Sequence, residues 1–140
     1  WHDVQTIIED VLKQVELYDI RADINLKGIR ILADPMLTNV FYCLADNTVR
    51  HGGGAQSISV RGVDTETGLS IIWEDDGVGV PAEEKQLIFN QGFGQNTGQG
   101  LFLGKDILSM TGFTISEEGE PGVGARFIIR IPSGWYTWTR

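Results

Sequence analysis

The sequence IIWEDDGVGVP places three acids and two glycines at the end of an apolar strand pattern. Side chains alternate between the two faces of a strand, so Asp75 continues the more apolar face, whereas Glu74 and Asp76 point to the other face and are expected to be solvated. A carboxylate at the rim of an apolar face accepts a hydrogen bond from a ligand amine, and Gly77 and Gly79 let a flat ring approach the backbone. The alternative is a solvated acidic turn in which the glycines supply positive φ.

A second set of polar side chains lies near the end of a helix predicted from Pro35 to His51. Projection at 100° per residue places Asn47, Cys43 and His51 on one flank of its packed stripe, with Arg50 toward solvent. The Asn47 amide oxygen suits a hard cation such as Mg²⁺, and donors one turn away suit phosphate oxygens. Alternatively, Asn47 bridges near the helix end and His51 faces the helix dipole. The predicted packed stripe is Leu37, Phe41, Leu44 and Thr48.

The segment GFGQNTGQGLFLGKDIL carries a glycine-rich loop directly into a predicted helix. Unpaired backbone N–H groups and the positive dipole end at Gly100, Leu101 and Phe102 therefore face the loop, which predicts an anion site. Because Gly98 and Gly100 follow no strand, and because no lysine has the required spacing, the segment is neither a phosphate loop nor a dinucleotide fingerprint. A flexible surface loop with a glycine hinge is the alternative.

Composition restricts how such a protein could hold an anion. The 140 residues carry a net charge of −8, which argues against broad binding to nucleic acid and favours local dipoles, a metal ion or a few placed cations. The single cysteine, Cys43, cannot form an internal disulfide, so a reducing, cytoplasmic location is expected. No apolar run approaches the roughly 18 residues of a membrane span, so the covered chain is expected to be soluble.

The predicted elements alternate irregularly between helix and strand. Asp3 precedes an apolar repeat typical of a helix that ends near Tyr18. Further elements are predicted as strands at 20–26, 29–33, 56–63, 69–75, 113–118 and 125–131, a short helix at 81–89, a loop at 90–100 and a helix at 101–110. Helices mixed with strands that are mainly joined as hairpins predict an α+β fold, a two-layer sandwich with helices on one face of a mixed sheet.

Taken in order, LADNTVRHGG, EDDGVGVP, LIFNQGFG, TGQGLFLGKDIL and GVGARFIIRIP resemble the N box, first glycine box, F box, second glycine box and final glycine strand of the ATP-binding domain of sensor histidine kinases. The resemblance covers nearly the whole chain and implies the Bergerat-type ATP-binding fold, with a mostly antiparallel sheet of about five strands. It implies that Asn47 holds Mg²⁺ and has the catalytic role, that Asp75 binds adenine, and that Phe89 and Phe93 belong to the F box. The implied ATP-binding residues are Asn47, Arg50, His51, Asp75, Gly77, Gly79, Val80, Phe93, Thr97, Gly98, Gly100, Leu101 and Phe102.

Several positions depart from what the resemblance implies. Cys43 stands where related gyrase, mismatch-repair and heat-shock chaperone ATPases carry a glutamate that activates water, and where many histidine kinases carry a second asparagine. Efficient hydrolysis is therefore not expected. Asp76 replaces a frequent asparagine, and Gln95 and Gln99 replace frequent lysine or leucine. The loop between Phe89 and Gly98 is short for a nucleotide lid, so closure is expected to depend on a partner domain.

The resemblance implies that residues 1–140 are a catalytic domain excised from a longer protein. That domain would pass the γ-phosphoryl group of Mg-ATP to a histidine on a separate dimerisation and phosphoacceptor domain, which in turn serves a response regulator. Neither His2 nor His51 has the sequence setting of that phosphoacceptor. The fragment is expected to be monomeric and its parent homodimeric and possibly attached to a membrane, with this domain on the cytoplasmic side. An anti-sigma-type serine kinase and a non-catalytic nucleotide sensor are the alternatives.

Overall fold

Three helices and eight strands make up the part of the chain that the computed structural model describes, residues 1–15, 17, 20–51, 54–90 and 100–139. The helices are α1 (Val4–Gln14), α2 (Leu37–His51) and α3 (Gly100–Ser109). The strands are β1 (His2–Asp3), β2 (Arg21–Asn25), β3 (Ile29–Ile31), β4 (Ser57–Thr65), β5 (Gly68–Asp75), β6 (Thr114–Glu117), β7 (Arg126–Pro132) and β8 (Tyr136–Trp138). No helix within these ranges is long and apolar enough to cross a bilayer.

Five strands form the main sheet in the order β2-β4-β5-β7-β6. The two predicted hairpins are present, because β4 pairs with β5 and β6 pairs with β7 in antiparallel register. β5 and β7 are also antiparallel, whereas β2 runs parallel to β4. The prediction of a mixed, mostly antiparallel sheet of about five strands is therefore confirmed.

The helices cover one face of this sheet. On β5, alternation buries Leu69, Ile71 and Trp73 to 1% exposure each, as the strand pattern predicts. Trp73 stacks on Phe41 of α2, with ring centroids 6.4 Å apart and ring planes 19° from parallel. Leu44 of α2 is also fully buried. This apolar layer between helices and sheet fixes α2 directly above the end of β5, and the predicted two-layer α+β sandwich is confirmed.

A small second sheet was not predicted. It has the order β1-β3-β8, with both pairings antiparallel, and it includes Ile29 and Ile31, which are fully buried. The predicted strands around 20–26 and 29–33 both form, but they enter different sheets. β1 and β8 have two and three residues, which is too short for a periodic pattern to be visible in the sequence.

Two predicted helices form, but one differs from the prediction in its end and the other in its type. α1 ends at Gln14 rather than near Tyr18, because Val15 adopts an extended conformation with φ −94° and ψ 133°. The predicted short helix at 81–89 is two 3-10 turns, Ala82–Glu84 and Leu87–Phe89, neither of which has a side-chain cap. Such turns are the usual form of helical segments this short. The start of α2 agrees with the predicted helix start at Pro35, since the carboxylate of the preceding Asp34 accepts a hydrogen bond from the Met36 N–H at 2.8 Å.

Candidate functional site

Asp75 ends β5 and lies at the junction of three elements. It is 8% exposed, and its backbone N–H donates to the Ala125 carbonyl oxygen at 3.0 Å. The side chain points into the layer beneath α2, the face that strand parity predicts. The parity prediction is therefore confirmed, whereas the role of Asp75 in binding adenine stays a prediction.

Three protein groups donate hydrogen bonds to the Asp75 carboxylate. Oδ1 accepts from the backbone N–H groups of Gly77 at 2.9 Å and Ala125 at 3.2 Å. Oδ2 accepts from the Thr48 hydroxyl at 3.3 Å. An ionised carboxylate has about four acceptor positions, so these three bonds hold the group in place and leave acceptor capacity for one further donor.

Burial raises the pKa of Asp75, and the neighbouring charge of Asp76 adds to that increase. The hydrogen bonds from Gly77, Ala125 and Thr48 act in the opposite direction, because each stabilises the ionised form. The balance leaves the pKa of Asp75 above the usual range for aspartate. Asp75 is thus a buried acid whose charge is favoured only by its donors.

Thr48 was predicted as part of a packed stripe, and its contact with the acid was missed. The residue is 1% exposed, and its hydroxyl accepts a hydrogen bond from Trp73 Nε1 at 3.2 Å while it donates to Asp75. A hydroxyl within an otherwise apolar helix stripe needs a buried partner. That single polar residue among Leu37, Phe41 and Leu44 was the signal available in the sequence.

The loop after Asp75 packs against the turn that joins β6 to β7. Gly79 has φ +75°, and a Cβ added there would lie 3.0 Å from the carbonyl oxygens of both Glu120 and Gly124. The Gly122 N–H donates to the Val78 carbonyl oxygen at 2.7 Å. Gly79 is therefore required for its backbone conformation and for close contact between backbones, and its predicted role beside a ring stays a prediction. Val80, which follows, is half-buried and packs against the core.

Of the two other acids, Asp76 is exposed as predicted, and only Glu74 is less solvated than predicted. Asp76 is exposed, but its Oδ1 accepts from the backbone N–H groups of Gln56 at 2.7 Å and Ser57 at 3.0 Å, which fixes the start of β4. Glu74 is half-buried and forms ion pairs with Arg61 and Arg126 on the neighbouring strands. Burial acts to raise the pKa of Glu74, but the two arginines outweigh it and hold the pKa below its usual range.

The predicted phosphate-binding residues lie at the ends of α2 and α3. Arg50 and Gly100 line one cavity of about 600 Å³, together with Cys43 and Asp46. Arg50 is exposed and forms an ion pair with Asp46 at 2.7 Å. A cavity of this size accommodates a small-molecule ligand. The structure thus brings the predicted cation and the predicted helix terminus to one place.

The remaining predicted residues are only partly placed. Asn47 is half-buried on α2, and His51 is the last residue of that helix. Leu101 and Phe102 are half-buried in the first turn of α3. Phe93, Thr97 and Gly98 lie outside the described residues, as do Gln95 and Gln99.

Cys43 has the properties of an inert thiol. Burial is the main cause of the raised pKa of Cys43, and the charge of Asp46 raises this pKa further. A hydrogen bond from the Gly104 backbone acts to lower it. The raised pKa disfavours the thiolate, and the inability of Cys43 to activate water stays a prediction.

Comparison with known proteins identifies the family. Residues 33–134 match the family described as histidine kinase-, DNA gyrase B-, and HSP90-like ATPase. The chain belongs to this family. The solved ATP-binding domain of PrrB from Mycobacterium tuberculosis superposes with a TM-score of 0.76 at 26% identity, covering 94% of both chains. This agreement supports the resemblance found in the sequence motifs and assigns the fold to that of histidine kinase ATP-binding domains.

Two relatives within this family are named as sensor kinases. The sensor-type histidine kinase PrrB of M. tuberculosis H37Rv is 32% identical over 111 residues, which cover 75% of this chain and 23% of that kinase. The sensor histidine kinase RcsC of Escherichia coli K12 is 35% identical over 134 residues, which cover 87% of this chain and 14% of that kinase. The chain therefore spans a minor part of each relative.

Proposed function

We propose that residues 1–140 are the catalytic domain of a two-component sensor histidine kinase, which binds Mg-ATP and donates its γ-phosphoryl group to a histidine on a separate helical domain. One observation carries the proposal. In a chain of this ATPase family, Asp75 is a buried carboxylate held by three donors that still has acceptor capacity for a ligand.

Asp75 selects and orients the base in this proposal. Its ionised carboxylate accepts a hydrogen bond from the adenine amine, while the loop through Gly77, Gly79 and Val80 borders the ring. Because Gly77 and Ala125 hold one carboxylate oxygen through their backbone N–H groups, the acceptor is positioned before the ligand arrives. Pre-organisation of this kind lowers the entropic cost of binding.

The phosphates lie at the α2 and α3 termini in this proposal. The backbone N–H groups of Gly100, Leu101 and Phe102 at the start of α3 would bind the anion, with Gly98 as a further proposed contact, and the dipole of α3 would add to the attraction. Arg50 and His51 on α2, together with Phe93 and Thr97 in the loop, complete the list of proposed contacts.

Asn47 would hold Mg²⁺ through its amide oxygen. The half-buried position of Asn47 on α2, the helix that also bears Arg50, supports this choice. Mg²⁺ commonly takes one or two protein oxygens together with phosphate oxygens and water, so a single amide is a sufficient protein contribution. When bound, ATP would supply the γ-phosphoryl group, and Mg²⁺ would neutralise the negative charge that develops on its oxygens.

The acceptor histidine is proposed to lie on another domain. His2 is in contact with the Ala33 carbonyl oxygen, 3.1 Å from Nε2, and β1 holds it within the small sheet. Because Cys43 is a poor base, water competes weakly for the phosphoryl group. We therefore expect this fragment alone to bind ATP and to incorporate little phosphate, with a homodimeric parent supplying the dimerisation domain and a response regulator receiving the phosphoryl group.

The test of this proposal is calorimetric titration with a non-hydrolysable ATP analogue, with and without Mg²⁺. We expect magnesium-dependent binding that is abolished in Asp75→Asn and unchanged in Asp23→Asn, a control at an exposed aspartate on β2. Unchanged binding in Asp75→Asn would reject the site.

A phosphotransfer assay then tests the reaction. Mixed with a histidine-bearing helical domain and labelled ATP, the fragment should yield acid-labile phosphohistidine. An acid-stable product would indicate a serine kinase, and binding without transfer to any acceptor would indicate a nucleotide sensor.

A further inference from the structure

The Thr48 hydroxyl connects a buried indole to the proposed base-binding acid. Trp73, Thr48 and Asp75 come from β5 and α2, and their exposed fractions are 1%, 1% and 8%. Trp73 Nε1 lies 3.2 Å from the Thr48 hydroxyl oxygen, which lies 3.3 Å from Asp75 Oδ2. This chain of two hydrogen bonds is enclosed by the packed layer between α2 and the sheet.

The direction of both hydrogen bonds is fixed by chemistry. An indole N–H is only a donor, so the Thr48 oxygen must accept from Trp73. The single hydroxyl hydrogen is then left to point at Asp75, which accepts it when ionised. Because Trp73 is stacked on Phe41 and fully enclosed, the donor at the start of the chain cannot turn away.

The geometry points to Thr48 as a positioning residue that keeps Asp75 an acceptor and thereby restricts the site to purines with an amino group at the base-binding edge. The inference rests on the proposed function, in which Asp75 binds the base. An ionised carboxylate accepts from a 6-amino group but repels a 6-oxo group. A protonated carboxylic acid, in contrast, donates to a 6-oxo group.

In its surroundings, Asp75 depends on the Thr48 hydroxyl to remain ionised. Burial and the adjacent charge of Asp76 both favour the protonated acid, and the groups that contact the carboxylate from α2 and from the β6–β7 turn, the Thr48 hydroxyl and the Ala125 N–H, are uncharged. Loss of the Thr48 donor therefore moves the pKa of Asp75 further upward. Binding that requires the ionised acid should then fail at a higher pH than in the wild type.

The experiment compares Thr48→Val, which has nearly the same shape but no hydroxyl, with Thr48→Ser, which keeps the hydroxyl. Dissociation constants for ATP and for inosine triphosphate, which carries a 6-oxo group, are measured between about pH 5 and pH 8. Titration of the nucleotide phosphates is common to all variants and cancels in the comparison. Thr48→Ala, which also lacks the hydroxyl and retains good helix propensity, replaces Thr48→Val if that variant does not fold.

We expect Thr48→Val to weaken ATP binding about fivefold to tenfold near pH 7, to move the pH midpoint of binding upward, and to narrow the preference for ATP over inosine triphosphate. Thr48→Ser should retain the wild-type midpoint and preference. Weaker binding at an unchanged midpoint and preference would assign Thr48 to packing alone and overturn the inference. If Asp75→Asn binds ATP as well as the wild type does, the base-site assignment itself is wrong, and the role of Thr48 fails with it.

Discussion

The two ends of the proposed nucleotide site are built in different ways. At the proposed base end, backbone groups from the loop after β5 and from the β6–β7 turn, together with a side chain of α2, converge on one carboxylate. At the proposed phosphate end, Arg50 is exposed, and among the described residues no atom lies within 4 Å of a Cβ added at Gly100. The carboxylate proposed to bind the base is therefore held in place by packed backbone, whereas the residues proposed to bind phosphate combine the exposed Arg50–Asp46 ion pair with the N-terminus of α3.

Among the substitutions that test this comparison, we expect Gly124→Ala to have the largest effect. A Cβ there would lie 2.0 Å from the Asp75 carbonyl oxygen, a backbone atom that cannot move without displacing the end of β5. We expect Gly124→Ala to lower the free energy of unfolding by about 3 kcal/mol and to reduce ATP binding. Thermal unfolding should show a decrease in Tm of about 10 °C.

Gly122→Ala is the matched control for this substitution. Gly122 has φ +86°, but no atom of the described residues lies within 4 Å of an added Cβ, so we expect backbone strain alone to cost about 1 kcal/mol. Equal losses at the two positions would show that contact with Asp75 is not what requires glycine at position 124.

The next largest effect should come from the ion pair between Lys85 and Glu117. The Glu117 side chain has 0% exposure, and its Oε2 accepts from the backbone N–H groups of Gly119 and Arg126, each at 2.9 Å. Lys85→Met leaves this buried carboxylate without its cation, and we expect a loss of about 2 kcal/mol in urea-induced unfolding. Because the pair fixes the hairpin that supplies the Ala125 N–H, ATP binding should also weaken.

Lys13→Met serves as the control for the lysine substitution. Lys13 pairs with Asp10 at 4.0 Å, and both side chains are more than half exposed, at 78% and 61%. Its removal should change stability by less than about 0.5 kcal/mol. A loss at Lys85 no greater than that at Lys13 would contradict a structural role for the buried pair.

A smaller effect is expected at the phosphate end. Gly100→Ala adds a methyl group that meets no atom of the part of the chain that the structure describes, and alanine is the better helix former at this first residue of α3. We expect the free energy of unfolding to stay the same or rise by about 0.5 kcal/mol, as measured by thermal unfolding. A loss above about 1 kcal/mol would remove the contrast with Gly124.

The smallest effect should come from the exposed ion pair between Arg130 and Glu118 of the β6–β7 hairpin. A hydrogen bond from Ser116 and then one from Arg130 hold the pKa of Glu118 below its usual range. Because folding lowers the pKa of Glu118, its ionised form stabilises the folded state at pH values above the usual pKa of glutamate. This stability is lost as the pH falls through the folded-state pKa. Since the side chains of Arg130 and Glu118 are 47% and 46% exposed, we expect Glu118→Gln to cost about 0.3 kcal/mol near neutral pH after allowance for screening.

Urea-induced unfolding at two pH values checks this sign. The difference between the wild type and Glu118→Gln should shrink in acid. A difference that grows in acid would mean that Glu118 is not stabilised as an anion.

Much of the base end could be predicted from the sequence because strand parity is a local property. Alternation along β5 assigned Asp75 to the buried face before any fold was known. The contact with the Ala125 N–H could not be predicted, since it joins residues 50 positions apart through a backbone atom that carries no sequence signal. The pairing of Lys85 with Glu117 was missed for the same reason, because nothing local brings a 3-10 turn against β6.

The small sheet was beyond sequence analysis for a different reason. β1 and β8 derive their conformation from pairing with β3 rather than from their own composition. The role of Thr48 could be predicted only in part. Its position within an apolar helix stripe was visible, but which buried group its hydroxyl would meet depended on the packing of α2 over Trp73.

The small sheet also has a consequence for how the chain loses its structure. Because His2 and Tyr136 both lie opposite Ile31, the first and last strands are held on the same central strand, and everything between them forms a closed loop. Release of β3 would therefore free both β1 and β8 at once. These two strands should exchange their amide hydrogens with solvent as one cooperative unit.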